Sequence, residues 1–190
     1  GAVTGLSMAG DAIRITAPLS TETAATLRAG DRVLLSGTIY TARDEAHQRL
    51  VALVAAGQPL PFELENAVLY YAGPAPTPPG RASGAIGPTT AGRMDLFTPP
   101  LLAAGVRGMI GKGYRTAEVK SAIHRHGAVY FVAFGGAAAR GAQAVRSSRV
   151  VAWEELGPEA VRELVAEELP LVVCIDSLGN DLYEQALGRG

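Results

Sequence analysis

The sequence contains a single cysteine, Cys174, among its 190 residues. One cysteine excludes an intramolecular disulfide, and a structural zinc site would need further ligands close by. The histidines do not supply them, since His47 is far along the chain from His124 and His126 and no second cysteine accompanies any of them. We therefore expect no metal or iron–sulfur site built from this chain's own residues.

Long apolar runs and long runs of one charge are also missing. Apolar stretches such as residues 51–57 and 128–139 fall short of the about 18–20 residues of a membrane-spanning helix. The formal net charge is −1, from 17 basic and 18 acidic residues, which argues against a nucleic-acid-binding protein. The first residues show no basic segment followed by an apolar run, so no secretory leader is predicted. We expect a cytoplasmic protein that binds neither membrane nor nucleic acid.

Lysine is scarce: 15 of the 17 basic residues are arginine, and the two lysines are Lys112 and Lys120. Lys112 is notable because it lies between two glycines, but the segment is not a nucleotide-binding loop. A P-loop lysine is followed at once by Ser or Thr, whereas Gly113 follows here. The dinucleotide-binding pattern also fails, because its third glycine position is Thr116.

The sequence has the composition of a folded domain, with 48% hydrophobic and 18% charged residues. Its length favours one domain over residues 1–190, with residues 1–10 partly flexible. Residues 73–87 are rich in Pro and Gly, and we predict an ordered loop there rather than a linker between domains. Predicted strands and helices alternate, which indicates an α/β fold with a mixed sheet.

Each element is predicted from its apolar pattern and its start and stop residues. The predicted strands are Ile13–Ala17, Arg32–Tyr40 with a bulge at Gly37, Ala67–Tyr71, Gly108–Gly111, Val129–Ala133, Val150–Trp153 and Leu171–Ile175. The predicted helices are Thr21–Leu27 with Ser20 or Thr21 as cap and Gly30 ending it, Ala42–Ala56, part of Ala91–Ala104 interrupted by Pro99 and Pro100, Thr116–His126, a turn in Gly136–Ala144, and Pro158–Glu168.

Three segments combine glycine with hydroxyl and cationic side chains: residues 36–44 (SGTIYTARD), 87–95 (GPTTAGRMD) and 111–116 (GKGYRT). Each lies where a strand or loop leads into a helix, whose N-terminus favours an anion. The cations are Arg43, Arg93, and Lys112 with Arg115. Because a guanidinium binds a carboxylate through two hydrogen bonds, the segments indicate a ligand with several carboxylates or phosphates.

Structural interpretations of these segments stay open at this point. Thr41, Thr89 or Thr90 could be helix caps, and Arg43 with Asp44 and Arg93 with Asp95 could be surface charges. His47 follows Arg43 by one helical turn and either reaches the same pocket or is structural. Cys174 lies in an apolar run and is predicted to be buried.

The strings SGTIYTARDEAH, GPTTAGRMD and GKG, with GAVYFVAFGGAAA and PLVVCIDSLGNDLYE further on, resemble the β region of class I fumarases and L(+)-tartrate dehydratases, the iron–sulfur-dependent hydro-lyases. The resemblance covers about Ile13 to Glu184. It implies a three-layer β/β/α fold of the swivelling type. The β region of this family is either half of a long chain or a separate small subunit, and this chain resembles the separate subunit.

The resemblance also implies that the [4Fe-4S] cluster is bound by a partner α subunit, with the active site at the junction of the two. In that site Thr89 would be the base that removes a proton beside a carboxylate. Arg43 and Arg93 would bind the substrate carboxylates, and Lys112 would bind a carboxylate and polarise Thr89. Asp44 would be a structural partner of a nearby cation, or a cap.

We therefore expect the β subunit of a fumarate hydratase or tartrate dehydratase that is active only with its α subunit. The expected assembly is α2β2, acting on a small dicarboxylate, and the isolated chain could form a homodimer. The alternative is a non-catalytic dicarboxylate-binding or assembly module on the same fold.

Overall fold

The computed structural model of the chain describes residues 12–73, 88–133 and 143–188. The strands within them are β1 (Ile13–Ala17), β2 (Arg32–Thr41), β3 (Val68–Tyr70), β4 (Gly108–Gly111), β5 (Val129–Ala133), β6 (Val145–Ala152) and β7 (Val161–Ile175). The α-helices are α1 (Thr21–Thr26), α2 (Asp44–Ala56), α3 (Thr98–Ala103), α4 (Ala117–His126) and α5 (Leu182–Gly188), and two short 3-10 helices cover Ala91–Met94 and Glu154–Glu159.

The strands form one mixed sheet in the order β1-β2-β3-β4-β5-β7-β6. Strands β1 to β5 run parallel to one another. The long strand β7 is antiparallel to β5, β6 and β2. Because β7 pairs with both β2 and β5, the strands β2, β3, β4, β5 and β7 close into a ring.

Alternating side chains of these strands fill two separate cores, as the strand period of two requires. Val68 and Tyr70 of β3 face a core enclosed by strands. Leu69 between them faces a second core, shared with Leu50 of α2 and Ile123 of α4. The strands therefore form two layers and the helices form a third layer. This confirms the predicted three-layer β/β/α arrangement.

Several predicted elements are confirmed, and β1, β4 and β5 have the predicted bounds. The Ser20 side chain accepts a hydrogen bond from the backbone N–H of Thr23, so Ser20 is the cap of α1. Gly37 lies at a register shift between β2 and β7 with φ of 110°, which confirms the bulge. The prediction that Gly30 ends α1 is wrong, because Leu27 already has extended backbone.

The predicted helix Pro158–Glu168 is wrong. Pro158 belongs to the second 3-10 helix, and Val161 begins the longest strand of the sheet. Segment VRELVAEEL has helix-forming residues, but as β7 it hydrogen-bonds to β2 on one side and β6 on the other. Pairing on both edges outweighs local helix propensity, which is worth only tenths of a kcal/mol per residue.

The proline pair Pro99–Pro100 begins α3 rather than interrupting a helix. Proline suits the first turn because the N–H it lacks has no partner in the helix. Three predictions lie wholly or mostly outside the described residues: the flexible residues 1–10, the ordered loop at 73–87 and the turn at 136–144. Among the described helices, none is long and apolar enough to cross a membrane.

Candidate functional site

The carboxyl ends of three neighbouring parallel strands bring the predicted site residues to one edge of the sheet. Arg43 follows the end of β2 by two residues, and Lys112 follows β4 directly. Thr89 joins the same edge through hydrogen bonds to the ends of β3 and β4. Ligands of open parallel sheets bind at such carboxyl edges, and we call this place the carboxyl edge.

Thr89 lies in an extended segment inserted between the ends of β3 and β4. Its backbone N–H donates to the Tyr71 carbonyl at 2.6 Å, and its carbonyl accepts from the Lys112 N–H at 3.2 Å. The Ala91 N–H then donates to the Lys112 carbonyl at 2.8 Å. These bonds fix Thr89 and Lys112 to one another through the backbone, and both side chains remain at least partly exposed.

Gly111 makes this insertion possible because it has no side chain. A Cβ at Gly111 would lie 2.8 Å from Cδ2 of Tyr71 and 3.1 Å from Cβ of Ala91. The first glycine of the GKG string is therefore required for the close approach of the Thr89 segment to β4.

Arg43 is the residue that precedes α2, and its side chain is half-buried. It packs beside Gly73, where an added Cβ would lie 3.3 Å from Nη1 of Arg43 and 2.6 Å from the Pro158 carbonyl oxygen. The Nε atom of Arg43 is buried, and no described residue supplies a partner for it. A buried cationic N–H without an acceptor is costly, so this position suits an incoming carboxylate.

Arg93 extends from the first 3-10 helix to the start of α2. Its Nη2 lies 3.0 Å from Oδ2 of Asp44, and its Nε lies 3.2 Å from the same oxygen. This confirms Asp44 as the structural partner of a nearby cation. The Arg93 side chain is 51% exposed, and exposed pairs of this kind contribute at most about 1 kcal/mol, so a carboxylate ligand can compete for the guanidinium.

The helix N-termini beside these residues are already occupied by the protein's own groups. The Glu45 N–H at the start of α2 donates to the Glu159 carboxylate at 3.1 Å. At α4, the Thr116 hydroxyl accepts from the Val119 N–H, and the Thr116 N–H donates to Asp95. These hydrogen bonds leave fewer free N–H groups for an anion at the two helix ends, so the side-chain cations are its main binding groups in the prediction.

The sequence predicts Arg115 as one of those cations, but in the structure its side chain is not available for a ligand. Its Nε lies 2.7 Å from Oδ1 of buried Asp95, and its Nη2 donates to the Thr98 hydroxyl at 2.8 Å. Its guanidinium also lies over the rings of Tyr71 and Tyr130, at 5.2 and 4.8 Å. Arg115 therefore joins the segment that carries Arg93 to the one that carries Lys112, and the surface role considered for Asp95 is wrong too.

Sequence reasoning missed this ion pair. Residues twenty positions apart give no periodic signal, and the only available hint was that each belongs to one of the three polar segments.

The interpretation of the threonines as helix caps is supported at none of the three positions among the described residues. The Thr41 hydroxyl accepts from the Arg162 N–H at 3.0 Å and so fastens β2 to β7. Thr90 precedes the first 3-10 helix without capping it through its side chain. Thr89 lies in the extended segment before Thr90, with its hydroxyl group free of any described helix end.

Two further residues behave as structural groups. Cys174 is fully buried, and burial raises the pKa of its thiol to about 12, so it is not a reactive thiolate. His47 is fully buried on α2 rather than open to a ligand. None of the described residues form a group of three or more His, Cys, Asp or Glu side chains placed to hold a metal ion.

Most of this chain is similar in sequence to known proteins. It is 39% identical over 165 residues to the putative L(+)-tartrate dehydratase subunit beta of Methanocaldococcus jannaschii, covering 84% of this chain and 85% of that one. It is 32% identical over 176 residues to the L(+)-tartrate dehydratase subunit beta of Escherichia coli, covering 90% and 86%.

The similarity also extends to longer proteins. The chain is 41% identical over 160 residues to the anaerobic class I fumarate hydratase of Escherichia coli, covering 83% of this chain and 29% of that protein. The chain thus spans less than a third of the length of the fumarate hydratases it matches. A family model described as "Fumarase C-terminus" matches residues 5–186. The match covers nearly the whole chain, and the protein therefore belongs to the fumarase C-terminus family.

Proposed function

We propose that this chain is the β subunit of a hydro-lyase that adds water to, or removes it from, a four-carbon dicarboxylate. The observation that carries the proposal is the docking of Thr89 between β3 and β4, hydrogen-bonded to the backbone of Lys112. Similarity over 85% and 86% of the length of two proteins named as tartrate dehydratase β subunits supports it. The substrate pair is fumarate and malate, or tartrate and oxaloacetate.

The cations of the carboxyl edge bind the two carboxylates in this proposal. Arg43 offers a buried Nε without a described partner, and Arg93 offers a guanidinium held only by an exposed pair with Asp44. Lys112 is exposed beside Thr89. A planar guanidinium binds a carboxylate in a fixed orientation, so two arginines can fix the carbon chain relative to Thr89.

Thr89 is the base that takes the proton from the carbon next to a carboxylate. A threonine hydroxyl is a weak base in water, so its deprotonated form needs nearby cations and a site closed to solvent. The negative charge that develops on the substrate carboxylate needs the same cations. Lys112, Arg43 and Arg93 would serve both purposes, because interactions that strengthen in the transition state raise the rate.

The residues of this chain do not fit an iron–sulfur cluster. Cys174 is the only cysteine of the sequence and is fully buried, whereas such clusters are held by several thiolates. We propose that the [4Fe-4S] cluster of the hydro-lyase is bound by the α subunit, together with the acid that protonates the leaving hydroxyl group. This chain then contributes the base and the carboxylate-binding side chains.

An α subunit would contact the carboxyl edge. Leu96 is 87% exposed and directly follows the segment 87–95, and Tyr114 is 64% exposed and lies within the segment 111–116. Covering them would also exclude water from Thr89 and Lys112. We propose an α2β2 assembly in the cytoplasm, and a homodimer of the isolated chain through the same surface.

Reconstitution with the α subunit tests the function directly. The chain is mixed anaerobically with an α subunit from the same organism, and malate and tartrate are assayed with the mixture and with each protein alone. We expect turnover only in the mixture, and the faster substrate names the enzyme. An assembled complex with an intact cluster and no turnover of either substrate would instead favour the dicarboxylate-binding module.

The role of Thr89 is tested in the same assay. Thr89→Ala removes the hydroxyl and should lower kcat about 10²–10⁴-fold, the usual contribution of a general base. Thr89→Ser keeps a hydroxyl and should retain much more activity. Size-exclusion chromatography should show complex formation for both variants, and a fully active Thr89→Ala complex would contradict the assignment.

A further inference from the structure

His47 makes two hydrogen bonds to one oxygen atom of a proposed substrate-binding residue. Its backbone N–H donates to the Arg43 carbonyl at 2.9 Å, as the first turn of α2 requires. Its ring Nδ1 lies 2.9 Å from the same carbonyl. The Arg43 side chain makes no capping hydrogen bond at the start of α2, and the His47 ring restrains the Arg43 carbonyl.

The protonation state of the ring follows from this contact. A carbonyl oxygen only accepts, so Nδ1 carries the hydrogen and Nε2 presents a lone pair. Nε2 is buried, and no described residue donates to it. Burial lowers the pKa of His47 to about 4, so the ring is neutral near pH 7.

The His47 ring also packs against two aromatic rings, of Tyr71 and Phe97, that adjoin the segment of Thr89 and Arg93. It meets the Tyr71 ring edge-on at 5.2 Å, and the Tyr71 carbonyl accepts from the Thr89 N–H. It lies 6.2 Å from the ring of Phe97, which follows the 3-10 helix that carries Arg93. One neutral side chain thus contacts Arg43 and two rings that adjoin the segment of Thr89 and Arg93.

We propose that His47 is a positioning residue, whose Nδ1–H fixes the Arg43 carbonyl and thereby the direction in which the Arg43 guanidinium meets a substrate carboxylate. The proposal rests on the proposed role of Arg43. The proposal attributes the effect to the hydrogen bond from Nδ1–H and not to the packing of the ring. Substitution by asparagine or glutamine distinguishes these two contributions. The amide nitrogen of asparagine can occupy the place of Nδ1, while that of glutamine reaches only as far as Nε2.

The kinetic test compares His47→Asn, His47→Gln and His47→Leu in the complex with the α subunit. Loss of one hydrogen bond should raise KM about tenfold in the Gln and Leu variants. The Asn variant should stay within about threefold of the wild type. In an Arg43→Ala background the difference between Asn and Gln should disappear, since residues that act through one another are not additive. Equal effects of Asn and Gln at matched melting temperatures would overturn the proposal.

A second readout does not need turnover, so it separates this proposal from the proposed function. In the full chain labelled with 15N-arginine, the Arg43 Nε–H signal and its exchange with water report how firmly the guanidinium is held. We expect similar exchange in the wild type and the Asn variant, and at least about tenfold faster exchange in the Gln and Leu variants. Unchanged exchange in all variants would refute the positioning role even if the complex is an active hydro-lyase. If the complex is inactive, the proposed function fails and this measurement still decides the role of His47.

Discussion

The neutral state of His47 makes the stability of the fold depend on pH. Its pKa of about 4 in the folded protein lies below the ordinary value of 6.5. The unfolded chain therefore binds a proton between these values that the folded chain does not, and stability falls as the pH drops. The full difference corresponds to about 3 kcal/mol, lost progressively from pH 6.5 to pH 4.

We predict that replacing His47 removes this contribution. Urea unfolding of the wild type and of His47→Leu at several pH values should show a smaller loss of free energy in the variant between pH 6.5 and 4. His124→Leu is the matched control, since it removes an exposed histidine at the end of α4 and leaves the buried ring of His47 in place. If the free energy of unfolding depended on pH equally in His47→Leu and in the wild type, the prediction would be contradicted.

Arg115 and Asp95 form the ion pair whose loss should cost most. The Arg115 side chain is fully buried and that of Asp95 is 7% exposed. Removing one partner of such a pair leaves an uncompensated buried charge, which costs about 3–5 kcal/mol. We predict this loss in the free energy of unfolding for Asp95→Asn, measured with urea at pH 7. Glu167→Gln is the control, because its pair with Arg146 is exposed on both sides and should contribute little.

At the scale of elements, the short segment between β3 and β4 depends on Gly111. We predict that Gly111→Ala displaces the Thr89 segment, because the new Cβ would overlap the Tyr71 ring and crowd Ala91. The reconstituted complex should lose most of its kcat. Gly92→Ala is the matched control, since its Cβ would meet nothing closer than 3.8 Å. Comparable kcat values for the two variants at equal protein stability would show that the close approach is not required.

The elements that the sequence predicts best are those whose signals are local. Strand β5 is a short apolar run between Gly127 and further glycines, and its bounds agree with the prediction. Where the structure has the single strand β7, the sequence predicts a helix followed by a strand, because Pro158 and the charged residues after it have the pattern of a helix start. Its strand character comes from pairing with β2, more than a hundred residues earlier, and with β6, and the local sequence of β7 does not contain these pairings.

The site likewise has residues whose place follows from local sequence signals and residues whose place depends on packing between distant segments. The strings around Arg43, Thr89, Arg93 and Lys112 lie together at the carboxyl edge, and those of Arg43 and Lys112 come at the ends of β2 and β4, which the sequence predicts. The sequence could not indicate that Arg115 turns inward to Asp95 while Lys112, three residues earlier, stays exposed. The direction of the Arg115 side chain is set by its packing against Tyr71, which follows β3, and Tyr130 of β5.

At the scale of the whole molecule, the closed ring of strands separates two edges. Parallel strands β2, β3 and β4 end at the carboxyl edge, where Arg43, Thr89 and Lys112 lie. Strand β7 runs the other way, so the turn after it lies near the start of β5, at the opposite edge. Each edge exposes a leucine: Leu96 at the carboxyl edge, 87% exposed, and Leu178 at the opposite edge, 54% exposed.

These two leucines give a paired test of where the α subunit binds. An exposed side chain that becomes buried in an interface cannot be replaced by a charge without a desolvation cost. We predict that Leu96→Glu weakens binding of the α subunit at least about tenfold, measured by isothermal titration calorimetry. Leu178→Glu should leave the affinity unchanged, because it introduces the same charge at the far edge. The opposite result would place the α subunit away from Thr89, and a site completed by that subunit at the carboxyl edge could not then be maintained.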